Sequence, residues 1–424
     1  MIPVQWRPAA AALSLLWMAT GIGAFMVFMT QTLLARRMGA ADYGMFASSL
    51  ATVSMVAPVA AFGLSQFRLK AYGAEGWGAD RWLRPSLRFT ALTTPLAVGS
   101  VVLWALFGPP VDTLTRAMLL ALAPVIVGFM AMDLVSSKLR LEDRFAALAA
   151  WQLLTPTARL CVALLAWSVP SVSVGAVALG YCLVAVAVTL LAVPHLLAML
   201  RGRMALQGHG PRTSHASQEP PAVLQLGAQA WPYGMAAVLY PVFFQISTVM
   251  LKYLAGDEEA GRYGVALAIM TAIYLFPATI YQKFLLAKLH RWAAHDRDKF
   301  WRVHGQGNLA MLVSGIAMGA ILALLSPHVD TLFGPQYQPV SKLLLLLAIC
   351  VPIRFLSTSV GSALLTEGHM RYRVKAMAMA ALAAIALNAA LIPAYGETGA
   401  AIATILAEGL LLYTMYYGVK RMPR

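Results

Sequence analysis

Twelve long apolar stretches divide this chain of 424 residues, and its basic residues fall almost wholly in alternate gaps between them. About 20 consecutive apolar residues carry a helix across the hydrocarbon core of a bilayer. The stretches lie near 10–34, 44–66, 86–108, 117–137, 149–169, 175–200, 223–251, 262–285, 304–326, 343–366, 374–394 and 398–417. With 60% hydrophobic and 12% charged residues, the chain holds more apolar surface than one soluble core can bury. The predicted class is an all-α polytopic membrane protein of twelve transmembrane helices. The run from Ala9 to Met29 is long for a signal-peptide core and lacks a clear small-residue cleavage site, so it reads as the first span.

Of the 32 Lys and Arg residues, 24 lie in one set of alternate segments and 6 in the other. The remaining two, Arg159 and Arg354, lie inside spans. Lys and Arg accumulate on the cytoplasmic side, so both termini are expected in the cytoplasm. A basic cytoplasmic face accounts for the net charge of +15, and nucleic acid is not an expected partner; membrane lipids are. Cys161, Cys182 and Cys350 all fall in spans, without disulfide or metal-ligand spacing. There is no paired-carboxylate site, triad or phosphate-cradling loop, so the chain is expected not to be an enzyme.

Residues 201–222 form the longest polar segment, rich in Gly, Pro, Ser and His, and read as a cytoplasmic linker. The segment separates residues 1–200, an N-terminal six-helix lobe, from residues 223–424, a C-terminal one. The halves repeat weakly. Gly39 followed by Tyr43-Gly44 is echoed by Gly256 followed by Tyr263-Gly264; Val111-Asp112-Thr113-Leu114 by Val329-Asp330-Thr331-Leu332; Pro124 by Pro352; and LRLEDRF by LLTEGHMRY. Both halves begin on the same side, which predicts a parallel pseudo-repeat about the membrane normal. Gly39 and Gly44 predict a tight turn between spans one and two, and Pro393, Gly396 and Gly399 a sharp one between spans eleven and twelve.

The same segments carry a resemblance. LLARRMGAADYGMFA, APVAAFGLSQFRLKAYG and the C-terminal run through Leu391-Ile392-Pro393, Tyr395-Gly396 and Gly399-Ala400-Ala401-Ile402-Ala403-Thr404 are similar to the Wzx-type polysaccharide flippases, a branch of the MOP (MATE-like) exporter superfamily. It covers about two thirds of the chain and both halves. It implies a V-shaped pair of lobes working by alternating access, and transfer of undecaprenyl-pyrophosphate-linked oligosaccharide from the cytoplasmic to the periplasmic leaflet. The polymer would be O-antigen, capsule or exopolysaccharide, with a polysaccharide polymerase and chain-length regulator as further partners. Many relatives carry an Asp in span seven where this chain has Ser247, which puts cation coupling through that position in doubt. No cofactor is implied beyond a coupling H+ or Na+.

Ionisable residues inside spans cost about 2.5–3.5 kcal/mol at mid-span and tend to face a cavity or a partner. Arg159 shares a helical face with Gln152 and Thr155, and Arg354 with Ser357, Thr358, Gly361 and Ser362. Two readings stand side by side. Each Arg holds a pyrophosphate oxygen pair with its planar fork, or each is tied to an acid, Arg354 to Glu408 and Arg159 to Asp133. Glu408 is the candidate proton-coupling group. Asp133 is a second coupling candidate, or a surface partner of Lys138. Gln225, Gln229 and Tyr233, then Tyr240, Gln245, Tyr274, Tyr281 and Gln282, are amide and aromatic candidates for the sugar; aromatic residues also populate interfacial belts. Alternatives are a MATE-like cation-coupled multidrug or small-molecule antiporter, a twelve-span MFS transporter suggested by the incomplete motif Gly76, Asp80, Arg81, Arg84, and an assembly subunit without transport.

Overall fold

The computed structural model describes residues 7–109, 112–169, 171–206, 220–281, 292, 296–365 and 369–422. Most of the linker, Gln282 and the basic residues of 282–291 lie outside the described residues. Every long element is helical, and no strand occurs among the described residues. In hydrocarbon a helix satisfies its own backbone groups, and a lone strand cannot. Large apolar side chains such as Leu92, Leu103, Leu183, Leu190, Leu309 and Leu382 are exposed rather than buried, as lipid-facing residues are.

The helices run α1 (Arg7–Ala61), α2 (Leu64–Glu75), α3 (Leu83–Phe107), α4 (Thr113–Leu122), α5 (Pro124–Leu141), α6 (Phe145–Ser168), α7 (Val174–Leu200), α8 (Val223–Leu254), α9 (Asp257–Thr279), α10 (Arg297–Leu325), α11 (Val329–Phe333), α12 (Val340–Leu347), α13 (Cys350–Ala363) and α14 (Met370–Lys420). Nine stretches among the described residues are long and apolar enough to cross a membrane. They are not nine single passes. One, Ser14–Phe107, runs through the end of α3, and α1 within it is broken at Gly39 (φ 80°, ψ 172°). Another, Met370–Lys420, is broken at Gly396 (φ 55°, ψ −134°). Both breaks fall where the sequence predicts turns, because only Gly enters those backbone regions at low cost.

Local features repeat between the halves. Gly256 ahead of α9 has φ 107° and ψ 172°, close to Gly39. Pro124 opens α5 after the short α4, and Pro352 lies in the first turn of α13 after the short α12. The Asp pair behaves differently. Asp112 caps α4, accepting from the Thr115 amide at 3.1 Å, whereas Asp330 sits in the first turn of α11.

The chain groups into two compact units, Met1–Thr30 with Thr52–Val238, and Gln31–Ala51 with Leu239–Arg424. This grouping exchanges two stretches relative to a division at 200 and 223. Small residues explain both exchanges. In the second unit, a Cβ on Gly44 would stand against the Asp257 carbonyl and 2.6 Å from the Gly261 nitrogen. In the first, a Cβ on Gly63 would stand 2.5 Å from the Tyr233 carbonyl carbon. The middle of α1 is thereby seated on α9, and the start of α8 on the turn before α2. Within the first unit α5, α6 and α7 pack together, with Gly128 against Ala185 and Gly180 against Val162. Within the second, α13 packs on α10, α14 and α9, with Gly315 against Pro352. Close approach over small residues is how helices associate in lipid.

Gly44→Val and Gly261→Val are therefore expected to reduce folded protein severely, since overpacking costs about 1–3 kcal/mol even where neighbours can shift and these neighbours are backbone. Gly99→Ala, where nothing stands within 4 Å, should melt like the parent protein. Melting curves of the three purified variants check this.

Candidate functional site

The second unit holds a buried polar centre built by four helices. Arg354 on α13 is 6% exposed and Glu408 on α14 is 1% exposed. Arg354 Nη1 donates to Glu408 Oε1 at 3.0 Å. The guanidinium is ringed by aromatic faces: Tyr240 at 5.0 Å, Phe243 and Phe244 at 6.0 Å on α8, and Tyr274 at 5.4 Å on α9. A cation so placed is attracted to each ring quadrupole. Glu408 Oε2 is buried without a hydrogen-bond partner. The pair is the acid-paired alternative for Arg354. A carboxylate on one side and rings on the others leave its fork partly used.

The polar stripe on α13 is present, but its hydroxyls turn inward. Ser357 and Thr358 both donate to the Arg354 carbonyl, at 3.1 and 2.8 Å. Such back-bonding satisfies a hydroxyl that has no water nearby. One turn before Glu408, Thr404 joins Tyr263 at 2.7 Å and Ser247 at 3.4 Å. Ser247 is thus part of a neutral hydroxyl cluster. A second chain runs from Tyr281 to Ser359, whose hydroxyl donates to Asn308 Oδ1 at 2.6 Å. The sequence reading missed Asn308 and the link to Thr404.

At the far end of α14's second limb, the Glu259 carboxylate accepts from the Glu397 amide at 2.6 Å. It caps the helix that restarts after Gly396, satisfying an orphan donor. Arg262 pairs with Glu258 and stands 3.8 Å from Glu397.

In the first unit, Arg159 on α6 stacks over Tyr181 of α7 at 4.7 Å, and its Nε is buried without a hydrogen-bond partner. Gln152 and Thr155 are half-buried on the same helix. No acid pairs with Arg159 among the described residues. Asp133 does not serve it, because it accepts from Ser65 at 2.8 Å on α2. Nor does Asp133 pair with Lys138, which is buried against Glu142 at 2.6 Å, the i, i+4 neighbour on its own chain segment. Arg68, counted among loop charges by sequence, is 1% exposed and donates to Ser137 Oγ and, at 3.4 Å, to the Leu134 carbonyl. Asp133 lies within electrostatic reach of Arg68.

The amide and aromatic candidates on α8 divide. Gln225 and Gln229 are exposed and Tyr233 lies under Lys70 at 5.8 Å, all in the first unit. Tyr240 and the half-buried Gln245 belong to the second. Gly76–Trp82, the segment of the incomplete MFS-like motif, is a 3-10 helix in which Asp80 accepts from Tyr72 at 2.7 Å.

Solved structures share this fold. A lipid II flippase MurJ in an inward closed conformation aligns with a TM-score of 0.72 at 14% identity, covering 96% of this chain and 88% of that one. An inward-facing multidrug resistance MATE family transporter of the MOP superfamily aligns at 0.68 and 13% identity, covering 95% and 94%. The MATE multidrug transporter DinF-BH aligns at 0.68 and 14% identity, covering 99% and 96%. No curated protein matches. The likeness in structure shows a shared fold. The sequence itself goes further, because residues 10–285 match the family model for polysaccharide biosynthesis proteins, so this multi-pass membrane protein belongs to that family.

Proposed function

We propose that the protein is a flippase that carries a polyprenyl-pyrophosphate-linked oligosaccharide between the leaflets of a bacterial inner membrane. The observation that carries this reading is the family match over residues 10–285. The lipid II flippase among proteins of like fold is compatible with a lipid-linked cargo. The substrate would be undecaprenyl-pyrophosphate-linked, delivered to synthesis of O-antigen, capsule or exopolysaccharide. Twelve crossings in two six-helix lobes, 1–200 and 223–424, joined by the linker 201–222, belong to the same proposal. So do cytoplasmic termini and a coupling H+ or Na+.

Arg159, with Gln152 and Thr155 beside it, is the candidate contact for the pyrophosphate in the first unit, because it has no carboxylate partner among the described residues. Glu408 is the coupling candidate, since one of its oxygens has no partner. A multidrug antiporter on this fold is the competing reading; a cation cargo calls for net acid, and Glu408 is already neutralised by Arg354.

Complementation of a flippase-null strain tests the function. Surface polysaccharide is expected to return and lipid-linked units to stop accumulating. Restored drug efflux with no polysaccharide would reject the proposal in favour of the antiporter. Topology is tested in a background freed of Cys161, Cys182 and Cys350. Glu258→Cys should react with an impermeant maleimide from outside, and Arg203→Cys only after the membrane is opened. The reverse pattern would overturn the orientation.

A further inference from the structure

Helices α6 and α7 of the first unit leave a groove of about 490 Å³ along their seam. Short side chains make the space: Ala158 and Ala166 on α6, and Ala176, Gly180 and Ala187 on α7. Leu165, Leu183 and Leu191 also line it and are 64%, 69% and 53% exposed, so the groove opens outward. Every lining side chain is apolar, and none offers a headgroup a charge or a hydrogen bond.

Reach and surroundings point to the occupant. From Ala176 to Leu191 the α7 wall rises about 22 Å, at about 1.5 Å per residue. Half of the hydrocarbon core is only about 15 Å deep. The groove is therefore longer than one leaflet. A phospholipid chain, tethered by its headgroup in one leaflet, uses part of it. A chain whose head changes sides can use all of it.

The other side of the same seam is polar. Arg159, the candidate contact for the head, follows Ala158, and Tyr181 follows Gly180, each turned by about 100° from its groove-lining neighbour. Arg159 lies over Tyr181 at 4.7 Å; Tyr181 is 1% exposed and Arg159 Nε is buried. One helix pair thus offers a buried polar side and an open apolar side. A lipid-linked glycan divides in the same way.

We propose that the α6–α7 groove holds the polyprenyl chain of the lipid-linked substrate while its head crosses the membrane. This rests on the flippase reading and deepens it, giving the chain a track along the first unit. Moving a chain from lipid into the groove gains no hydrophobic free energy, because both surroundings are apolar. The groove contributes van der Waals contact and direction, so its effect is expected in where the chain lies.

Photolabelling tests it. The full chain, in phosphatidylcholine nanodiscs, is irradiated with geranylgeranyl pyrophosphate carrying a diazirine on its chain, and labelled peptides are located by mass spectrometry. Label is expected on the groove-lining residues of α6 and α7, and excess unlabelled geranylgeranyl pyrophosphate should remove it. Ala187→Phe puts a ring into the groove from an exposed position and should lower this label about tenfold, with Tm unchanged. Ala150→Phe, exposed on α6 outside the groove, should leave the label unchanged. Should Ala187→Phe fail to fold, the label on the parent still decides.

Competable label confined to other helices, as when a second copy covers the groove, would overturn the proposal while leaving the flippase reading intact. So would groove label that folded Ala187→Phe does not lower. Groove label removed equally by excess phosphatidylglycerol would also overturn it, marking a general phospholipid crevice. Parent protein carrying no label that the unlabelled pyrophosphate removes would sink the flippase reading itself.

Discussion

Arg354→Ala is expected to remove most of the folded protein, with a loss of about 3–5 kcal/mol, because it strands a buried carboxylate. Glu408 is 1% exposed and its Oε2 already lacks a partner. Once Arg354 is gone, no described cation is paired with it. Glu408→Gln should be milder, since the amide oxygen can still accept from Arg354. The double change Arg354→Met with Glu408→Leu should recover abundance close to the parent, because an apolar pair of similar volume often replaces a buried ion pair without penalty. Abundance and Tm of the four proteins check the structural half. Export supplies the functional half. If the apolar pair restores both abundance and polysaccharide, Glu408 has no part in coupling. If it restores abundance alone, the pair does more than hold helices together. Arg354→Ala at normal abundance would contradict the ion pair as a source of stability.

Arg159→Ala is expected to give the opposite signature: normal abundance with export reduced about tenfold or more, the scale of losing a charge-assisted contact. Removing this cation strands no acid among the described residues. What is lost is the stacking on Tyr181 at 4.7 Å, worth roughly 0.5–2 kcal/mol. Arg159→Lys keeps the charge but loses the planar fork, so it should retain part of the export and most of the stability. Surface polysaccharide measured against protein level separates the outcomes. Full export from Arg159→Ala would leave Arg159 as a packing residue on Tyr181.

The two arginines look alike in sequence, each mid-span on a polar stripe with a possible acid elsewhere. Periodicity says which residues share a face of one helix, and not which face of another helix meets it. The Arg354–Glu408 alternative is realised because α13 and α14 pack directly. The Arg159–Asp133 alternative is not. Asp133 faces Ser65 of α2, and Arg159 faces Tyr181 of α7. The hydroxyls of Ser357 and Thr358 lie on the stripe as expected, yet they bond their own helix.

What the sequence by itself determined is what hydropathy and local backbone chemistry dictate. It set the membrane class, because apolar runs of span length have one stable environment. It located the breaks at Gly39 and Gly396, because those backbone angles admit little else. Its motifs pointed to the family that the match over residues 10–285 establishes. Only the tertiary structure decided which charges are neutralised. Arg68 reads as a loop charge because it flanks a span, and its burial came from α5, distant in sequence, whose Leu134 and Ser137 it contacts. It also decided that α8 is shared, with Tyr233 and Tyr240 in different units, because Gly63 and Gly234 let the start of α8 approach the first unit closely. Pairing and burial are properties of contacts between helices, and those contacts depend on packing volumes that no single stretch of sequence contains.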